Sequence, residues 1–281
     1  MSKSFAKLTE VEDNLMVVDA LNLSFRYRHS KKEDFATDYV RTIQSLAKSY
    51  KSKWIVIVAD KGSSSYRKNL YPEYKANRKE KYANQTEAEQ AEFAKFMSDY
   101  EDALVMLQET TDYPLLRFNG VEADDIAAYI SSKVDDYPID HLWLISTDKD
   151  YDLLIRDKIS RFSYVTRKEI TNNNWSTHYD FNPEDYISIK CLQGDTGDNV
   201  FGVEGIGPKR AQALIEQYGT ALDIVASLPI NSKLKYVQNL NNSGDLIMLN
   251  YQLMDLVTFC DEAIGKENIA EIDKVLKEYI K

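Results

Sequence analysis

The sequence predicts an α/β protein built on a mostly parallel sheet, with a helical part after it. Three observations carry this. Short, mostly apolar runs at 15–18, 54–59 and 141–147 read as strands covered on both faces. Amphipathic stretches separate them, which implies βαβ units and parallel neighbours. From about residue 182 onward the remaining apolar stretches look helical.

The three runs end in Asp19, Asp60 and Asp148. Ligands of parallel sheets gather beyond the carboxyl ends of the strands, so these residues would share one rim. One aspartate after a strand is more often a cap; three in the same place make capping a weaker explanation. Between the first two runs, Tyr39, Val40, Ile43, Leu46 and Ala47 recur at helical spacing within 37–51. The stretches 87–108 and 123–134 are also amphipathic. A fourth strand at 115–118 leads through Asn119-Gly120-Val121 to Glu122, Asp124 and Asp125. The helix macrodipole alone favours acids in a first turn. This turn points at the same rim, however, and Glu122 and Asp125 share a face. The run Asp148-Lys149-Asp150-Tyr151-Asp152 is not a calcium loop, because Leu153 and Ile159 replace the required glycine and glutamate. Another strand is expected at 161–165.

The segment 61–82 reverses the local charge. It holds seven basic residues against two acidic ones, a net of +5, with Tyr66, Tyr71, Tyr74 and Tyr82 interleaved. Cations that track phosphates and rings that stack on bases suit single-stranded nucleic acid. Lys75 and Arg78 would share a face if this part is helical, with a break at Pro72. The segment has little to bury, so it is expected to be mobile without DNA. A solvated loop is the bland alternative.

Asn182 could cap a helix starting at Pro183 and running to about residue 193. Asp195 and Asp198 follow, then a bend with Gly202, Gly205 and Gly207, then a helix from Pro208 to 218 that opens with Lys209 and Arg210. This is a helix–hairpin–helix arrangement whose backbone N–H groups suit a phosphate backbone. Stretches 222–228, 233–240, 246–256 and 269–280 look helical, which makes 182–281 a helical subdomain.

The candidate acid cluster is Asp19, Asp60, Glu122, Asp124, Asp125, Asp148, Asp150, Asp195 and Asp198. Hard oxygen ligands without histidine or cysteine select Mg²⁺ or Mn²⁺. So many like charges need cations, and their number suits two or more ions of the kind that catalyse in-line phosphoryl displacement. The net charge of −10 argues against a protein coated in basic charge, so nucleic-acid contacts must be local. Two cysteines suggest neither a disulfide framework nor a zinc site. His29, His141 and His178 are scattered and read as ordinary. The polar start, 1–14, lacks a signal-peptide core, and no apolar run approaches a membrane span.

The residues resemble the bacteriophage 5′-nucleases, or flap endonucleases, over about 15–236. The motifs that carry the resemblance are Val18-Asp19-Ala20-Leu21-Asn22, Tyr74-Lys75-Ala76-Asn77-Arg78, Gly120-Val121-Glu122-Ala123-Asp124-Asp125, Ser146-Thr147-Asp148-Lys149-Asp150 and 194–210. The family implies a PIN-like (resolvase-like) α/β core over 1–181 with a helical arch at about 61–95. It implies a helical C-terminal subdomain over 182–281 with a helix–hairpin–helix (H3TH) motif at about 183–218. It implies Mg²⁺-dependent hydrolysis of DNA phosphodiesters near single-strand/duplex junctions, as flap endonuclease and 5′→3′ exonuclease, in phage replication and repair.

Carried over by residue, the nine acids match metal ligands and their surroundings. Lys75 and Arg78 match arch residues that contact the scissile phosphate, so Lys75, Arg78, Asp148 and Asp150 are the catalytic candidates. Tyr74 matches an aromatic beside the arch pair, and Arg26 falls where phage proteins carry a base. Gly202, Gly205, Gly207, Lys209 and Arg210 match a duplex-binding motif that also holds a monovalent cation, K⁺. Ala20 and Lys149 stand where the family commonly has glycine. The resemblance implies a monomer in the cytoplasm of an infected host, acting on branched or 5′-flapped DNA. A single-strand ribonuclease on the same core and a catalytically silent junction-binding protein are the alternatives.

Overall fold

The computed structural model describes residues 11–28 and 35–281. The first ten residues and His29 lie outside them. Six strands make one sheet in the order β3-β2-β1-β4-β5-β6. They are β1 Glu12–Asp19, β2 Ser52–Val58, β3 Leu115–Leu116, β4 His141–Ile145, β5 Ile159–Ser163 and β6 Lys168–Ile170. The first five are parallel; β6, absent from the sequence reading, runs antiparallel to β5. Leu15 to Val18 are fully buried because β1 serves two cores. Leu15 and Val17 face one, Met16 and Val18 the other.

Short α1 (Ala20–Ser24) turns the chain off β1, and α2 (Phe35–Ser49) packs beside the later α5 over the Met16 face. The charge-reversed segment folds as α3 (Ser65–Leu70) and α4 (Ala76–Ala83) and leads into α5 (Glu87–Thr110). A capping box of Thr86 and Glu89 starts α5. Its second half buries Phe96, Tyr100, Ala103, Leu104 and Leu107, while the first half is largely exposed. On the Leu15 face lies α6 (Ala123–Ser132), buried along most of its length.

After the sheet come α7 (Tyr186–Gln193), the two-residue strands β7 (Gly194–Asp195) and β8 (Val200–Phe201), α8 (Pro208–Tyr218), α9 (Ala221–Ala226), α10 (Lys235–Asn241) and α11 (Gly244–Met254). These helices share a core of Ile189, Leu192, Leu214, Ile224, Leu240 and Ile247. The last two, α12 (Leu256–Ile264) and α13 (Lys266–Tyr279), pack elsewhere. Leu256, Cys260, Ile264, Ile272 and Leu276 join the α6 core. The stretch expected as one helical unit, 182–281, is therefore continuous in sequence but divided in packing. The ten-residue α6 is too short to cover its face of the sheet alone, and α12 and α13 complete the layer.

Asn182 departs from its expected role. The helix after it begins as a 3-10 turn, Pro183–Asp185, and the Asn182 amide donates to Asp185 instead of accepting a backbone N–H.

Candidate metal centre and nucleic-acid interface

The strand-ending aspartates do share a rim, and they are caps as well. Asp19 Oδ1 accepts from Asn22 N, at the start of α1, at 3.1 Å. Asp148 Oδ1 accepts from Asp150 N at 3.0 Å and caps the 3-10 turn Lys149–Leu154. Asp60 Oδ1 accepts from Ala123 N, the first residue of α6, at 2.7 Å. Capping and site formation do not compete, because a cap uses one carboxylate oxygen and leaves the other. Asp19 also accepts from Ser146 Oγ at 3.2 Å with Oδ2. Asp124 spends Oδ1 on its neighbour's N–H at 2.8 Å.

These four line one cleft of about 220 Å³ with Glu122, Lys75, Arg78, Phe25 and Tyr151. None of the four is ion-paired to a cation among the described residues. Their crowding shows in their acidities. Burial, then the charge of Asp60, pushes Asp19 up to about 7. Burial raises Asp60, and burial with Asp125 raises Asp124 well above the ordinary carboxylate range.

The other five acids carry their own cations. Asp125 is fully buried, and both of its oxygens are held by Arg67, at 2.7 and 2.8 Å. Glu122, Asp124 and Asp125 each offer an oxygen within 4.8 Å of the others, but Arg67 holds Asp125 away from solvent. Glu122 accepts from Lys75 Nζ at 2.8 Å and from the Tyr74 hydroxyl at 3.0 Å. Burial alone would raise Glu122; Lys75 and Arg67 outweigh it and hold Glu122 low. Asp198 pairs with Arg78 at 2.7 Å and also accepts from Tyr74 at 3.0 Å. Asp150 and Asp195 flank Lys190, at 2.5 and 3.2 Å. Burial pushes Asp150 up to about 6. Burial opposes the charge on Lys190, but Asp150 and Asp195 prevail and lift it.

The arch differs from its expected form. Lys75 lies outside α4 with φ +55°, a left-handed conformation unusual for lysine, and its N–H is bonded to Asp198 O at 2.8 Å. Lys75 and Arg78 do not share a helical face; they meet at Asp198 from the helix and from the turn before it. Burial would lower Lys75, yet Glu122 and Asp198 hold it above its ordinary value, so it is a permanent cation.

Tyr74 is 3% exposed, so its ring is not open to a base. Tyr66 stacks on Phe259 and Tyr71 is half-buried beside Tyr74, which leaves Tyr82 as the exposed ring of the four. Arg67 is also turned inward. The segment has more to bury than its composition suggests, because the acids and α11 give it partners. Asn77 and Asn199 stitch its base to the 194–199 loop, through Thr196 O at 2.9 Å and Glu73 O at 2.8 Å.

In the bend, Gly202 serves the motif itself: a Cβ there would lie 2.0 Å from the Gln193 carbonyl oxygen. Gly205 has φ +82°. Gly207, Lys209 and Arg210 are exposed at the start of α8. Arg210 donates to Gly205 O at 2.6 Å and lies over the Tyr236 ring. Arg26 is exposed in the 3-10 turn Phe25–Tyr27, next to the Phe25 that lines the cleft.

The sequence reading missed Arg67 and Lys190 as partners of the acids. Lys190 left one signal, a lone cation inside the apolar stretch of α7. Arg67 left none, since it stands among six other bases.

Comparison with known proteins follows the same lines. Residues 14–180 match the family model of the 5′-3′ exonuclease N-terminal resolvase-like domain, and 181–274 match the 5′-3′ exonuclease C-terminal SAM fold. The flap endonuclease of Escherichia phage T5 is 45% identical, covering 100% of this chain and 98% of its own length. A structure of divalent zinc bound to the T5 5′-exonuclease superposes with a TM-score of 0.90 at 45% identity, over 95% of this chain and 100% of that one. A T5 flap endonuclease pseudo-enzyme–product complex with DNA and metal ions gives 0.90 at 44% identity, over 95% and 99%.

Proposed function

The chain belongs to the 5′-3′ exonuclease family, and we propose from that premise how its cleft works. It is a DNA-structure-specific nuclease, a phosphodiester hydrolase of the flap endonuclease type. The reading is that divalent ions, Mg²⁺ or Mn²⁺, are held by Asp19, Asp60, Asp124 and Asp148, with Glu122 at the edge. The observation that carries it is the convergence of four carboxylates on one cleft without a paired protein cation. Oxygen donors alone line the acid end, which fits hard divalent ions. The matched T5 structures hold metal ions, and one also holds DNA. A divalent ion there supplies Lewis acidity toward a phosphoryl oxygen and activates water. A second ion would be served by Asp150, Asp195 and Asp198, once Lys190 and Arg78 yield them.

The chain's own groups do the rest. Lys75 and Arg78 present two fixed cations at the mouth, where they would bind the scissile phosphate and stabilise charge developing on it. The exposed Lys209 and Arg210, with the N–H groups at Gly207, would hold the duplex backbone, and Arg26 would touch DNA beside Phe25. Tyr74 positions Glu122 and Asp198 and would have to be released before it could stack on a base. K⁺ at the bend would draw on carbonyls other than that of Gly205, which Arg210 already engages. The protein would act as a monomer. The substrate would be branched or 5′-flapped DNA in the cytoplasm of an infected host. No described helix is long and apolar enough to cross a membrane.

The test is a 5′-flapped duplex incubated with and without Mg²⁺, using the wild type and Asp148→Asn. The wild type should cleave only with the ion. Asp148→Asn should still bind the flap but cleave orders of magnitude more slowly, on the scale of lost transition-state electrostatics. Equal turnover by the variant would defeat the assignment.

A further inference from the structure

Tyr151 forms part of the cleft wall without being a ligand. It follows Asp150 in the turn Lys149–Leu154, and its ring is 1% exposed in the α6 core. Its hydroxyl has no hydrogen-bond partner among the described residues. A buried donor left unmatched is costly and uncommon. At neutral pH a phenol keeps its proton, so the hydroxyl is a donor beside the acids that line the cleft. Its O–H faces Asp19 and favours that group's ionised form, but in this structure it falls short of hydrogen-bond distance and angle. Both oxygens of Asp19 are meanwhile engaged, by Asn22 N and Ser146 Oγ.

We propose that Tyr151 is a positioning residue of the metal centre, whose O–H takes over as donor to Asp19 when that carboxylate turns to hold a divalent ion. The proposal rests on the metal reading of the cleft given above. A ligating carboxylate needs partners for its remaining lone pairs, and such partners orient it. An ion that draws an Asp19 oxygen toward itself would weaken its contact with Asn22 N or Ser146 Oγ. Tyr151 is a buried donor on the same cleft wall without a partner among the described residues.

Tyr151→Phe keeps the ring and deletes only the O–H. The measurement is the dissociation constant for Mn²⁺ alone, by calorimetric titration of the full chain without DNA. It should weaken by about tenfold, the lower end of what losing such a partner costs. In chelator the variant should melt at or above the wild-type temperature, because an unmatched buried donor has been removed. Its metal-induced rise in Tm should therefore be smaller. Tyr129→Phe is the control. Tyr129 is a buried phenol of α6 in the same core, but its hydroxyl is bonded to Asp273, outside the cleft. It should leave Mn²⁺ affinity unchanged. Wild-type affinity in Tyr151→Phe, or equal weakening by both variants, overturns the proposal. Absence of Mn²⁺ binding by the wild type overturns the metal reading and this proposal with it.

Discussion

Asp125→Asn separates an acid that holds the fold together from its neighbour in the cleft. Arg67 Nη1 and Nη2 meet the two oxygens of Asp125 at 2.7 and 2.8 Å, with Arg67 3% exposed and Asp125 fully buried. Arg67 Nε donates to Leu253 O at 2.7 Å, so this one side chain joins α3, α6 and α11. Replacing Asp125 by asparagine strands the guanidinium in the interior. Breaking one side of a buried pair costs about 3–5 kcal/mol. Glu122, 3.5 Å from Nη1, offsets part of this, so the lower figure applies. For a chain of this size that lowers Tm by about 6–12 °C.

Asp124→Asn, one residue away, should do the opposite. Asp124 has no paired cation among the described residues, and burial and Asp125 already push its pKa well above the ordinary carboxylate range. Removing its charge relieves repulsion, so its Tm in chelator stays level or rises. The assay is thermal melting by circular dichroism in chelator at neutral pH, checked by urea midpoints. Arg67→Met with Asp125→Leu should recover most of the loss, since an apolar replacement of a buried pair is often neutral. Identical melting of the two asparagine variants would refute the division between them.

Three further outcomes follow from the same contacts. Asp19 titrates at about 7 in the fold against 3.8 unfolded, so the folded state keeps its proton longer. Stability is thus highest below the unfolded value and falls as pH climbs toward 7, by roughly 3–4 kcal/mol from Asp19 alone. Melting temperature in chelator should drop between about pH 5 and 7.5, where the acids held low have finished titrating, and saturating Mg²⁺ should flatten the slope. A flat profile in chelator contradicts this. Tyr74→Phe removes hydroxyl bonds to Glu122 and Asp198, and should cost about 1–3 kcal/mol and speed proteolysis within 71–95. Lys190→Met leaves Asp150 and Asp195 facing each other; Tm in chelator should fall, and the rise on adding Mg²⁺ should exceed that of the wild type.

Much of the fold was legible because the parallel strands are buried on both faces and read as unbroken apolar runs. The helix from Pro208 to Tyr218 was legible because proline opens it and Gly219 closes it. The edge strand β6 is three residues long, with Lys168 and Glu169 exposed, so no apolar run marks it. The place of α12 and α13 was hidden for another reason: amphipathic pattern shows that a helix has a buried face, never which core receives it. The five acids that line the cleft were legible from aspartates at strand ends and clustered acids after a glycine. How the acids are neutralised was not, because Arg67–Asp125 and Lys75–Glu122 span long stretches of sequence. A basic residue in a charge run looks the same whether it faces solvent or a buried carboxylate. Local composition therefore could not show that Arg67, Lys75 and Arg78 are engaged by protein acids.

That engagement gives the site its order of events. Five of the nine carboxylates are balanced by Arg67, Lys75, Arg78 and Lys190, and four are not. The unbalanced four sit at the ends of β1, β2 and β4 and at the first turn of α6, held by the sheet. The balanced ones, Asp125 apart, face the arch, α7 and the 194–199 loop. A cation bound by the unbalanced four would displace no existing ion pair. Reaching Asp150, Asp195 or Asp198 means exchanging a protein cation, and Lys75 and Arg78 are the cations a phosphate would attract. Nucleic acid drawing Lys75 and Arg78 outward would free Glu122 and Asp198. Asp150 and Asp195 would stay with Lys190. Charge balance would thus couple part of the acid set to the presence of a phosphate.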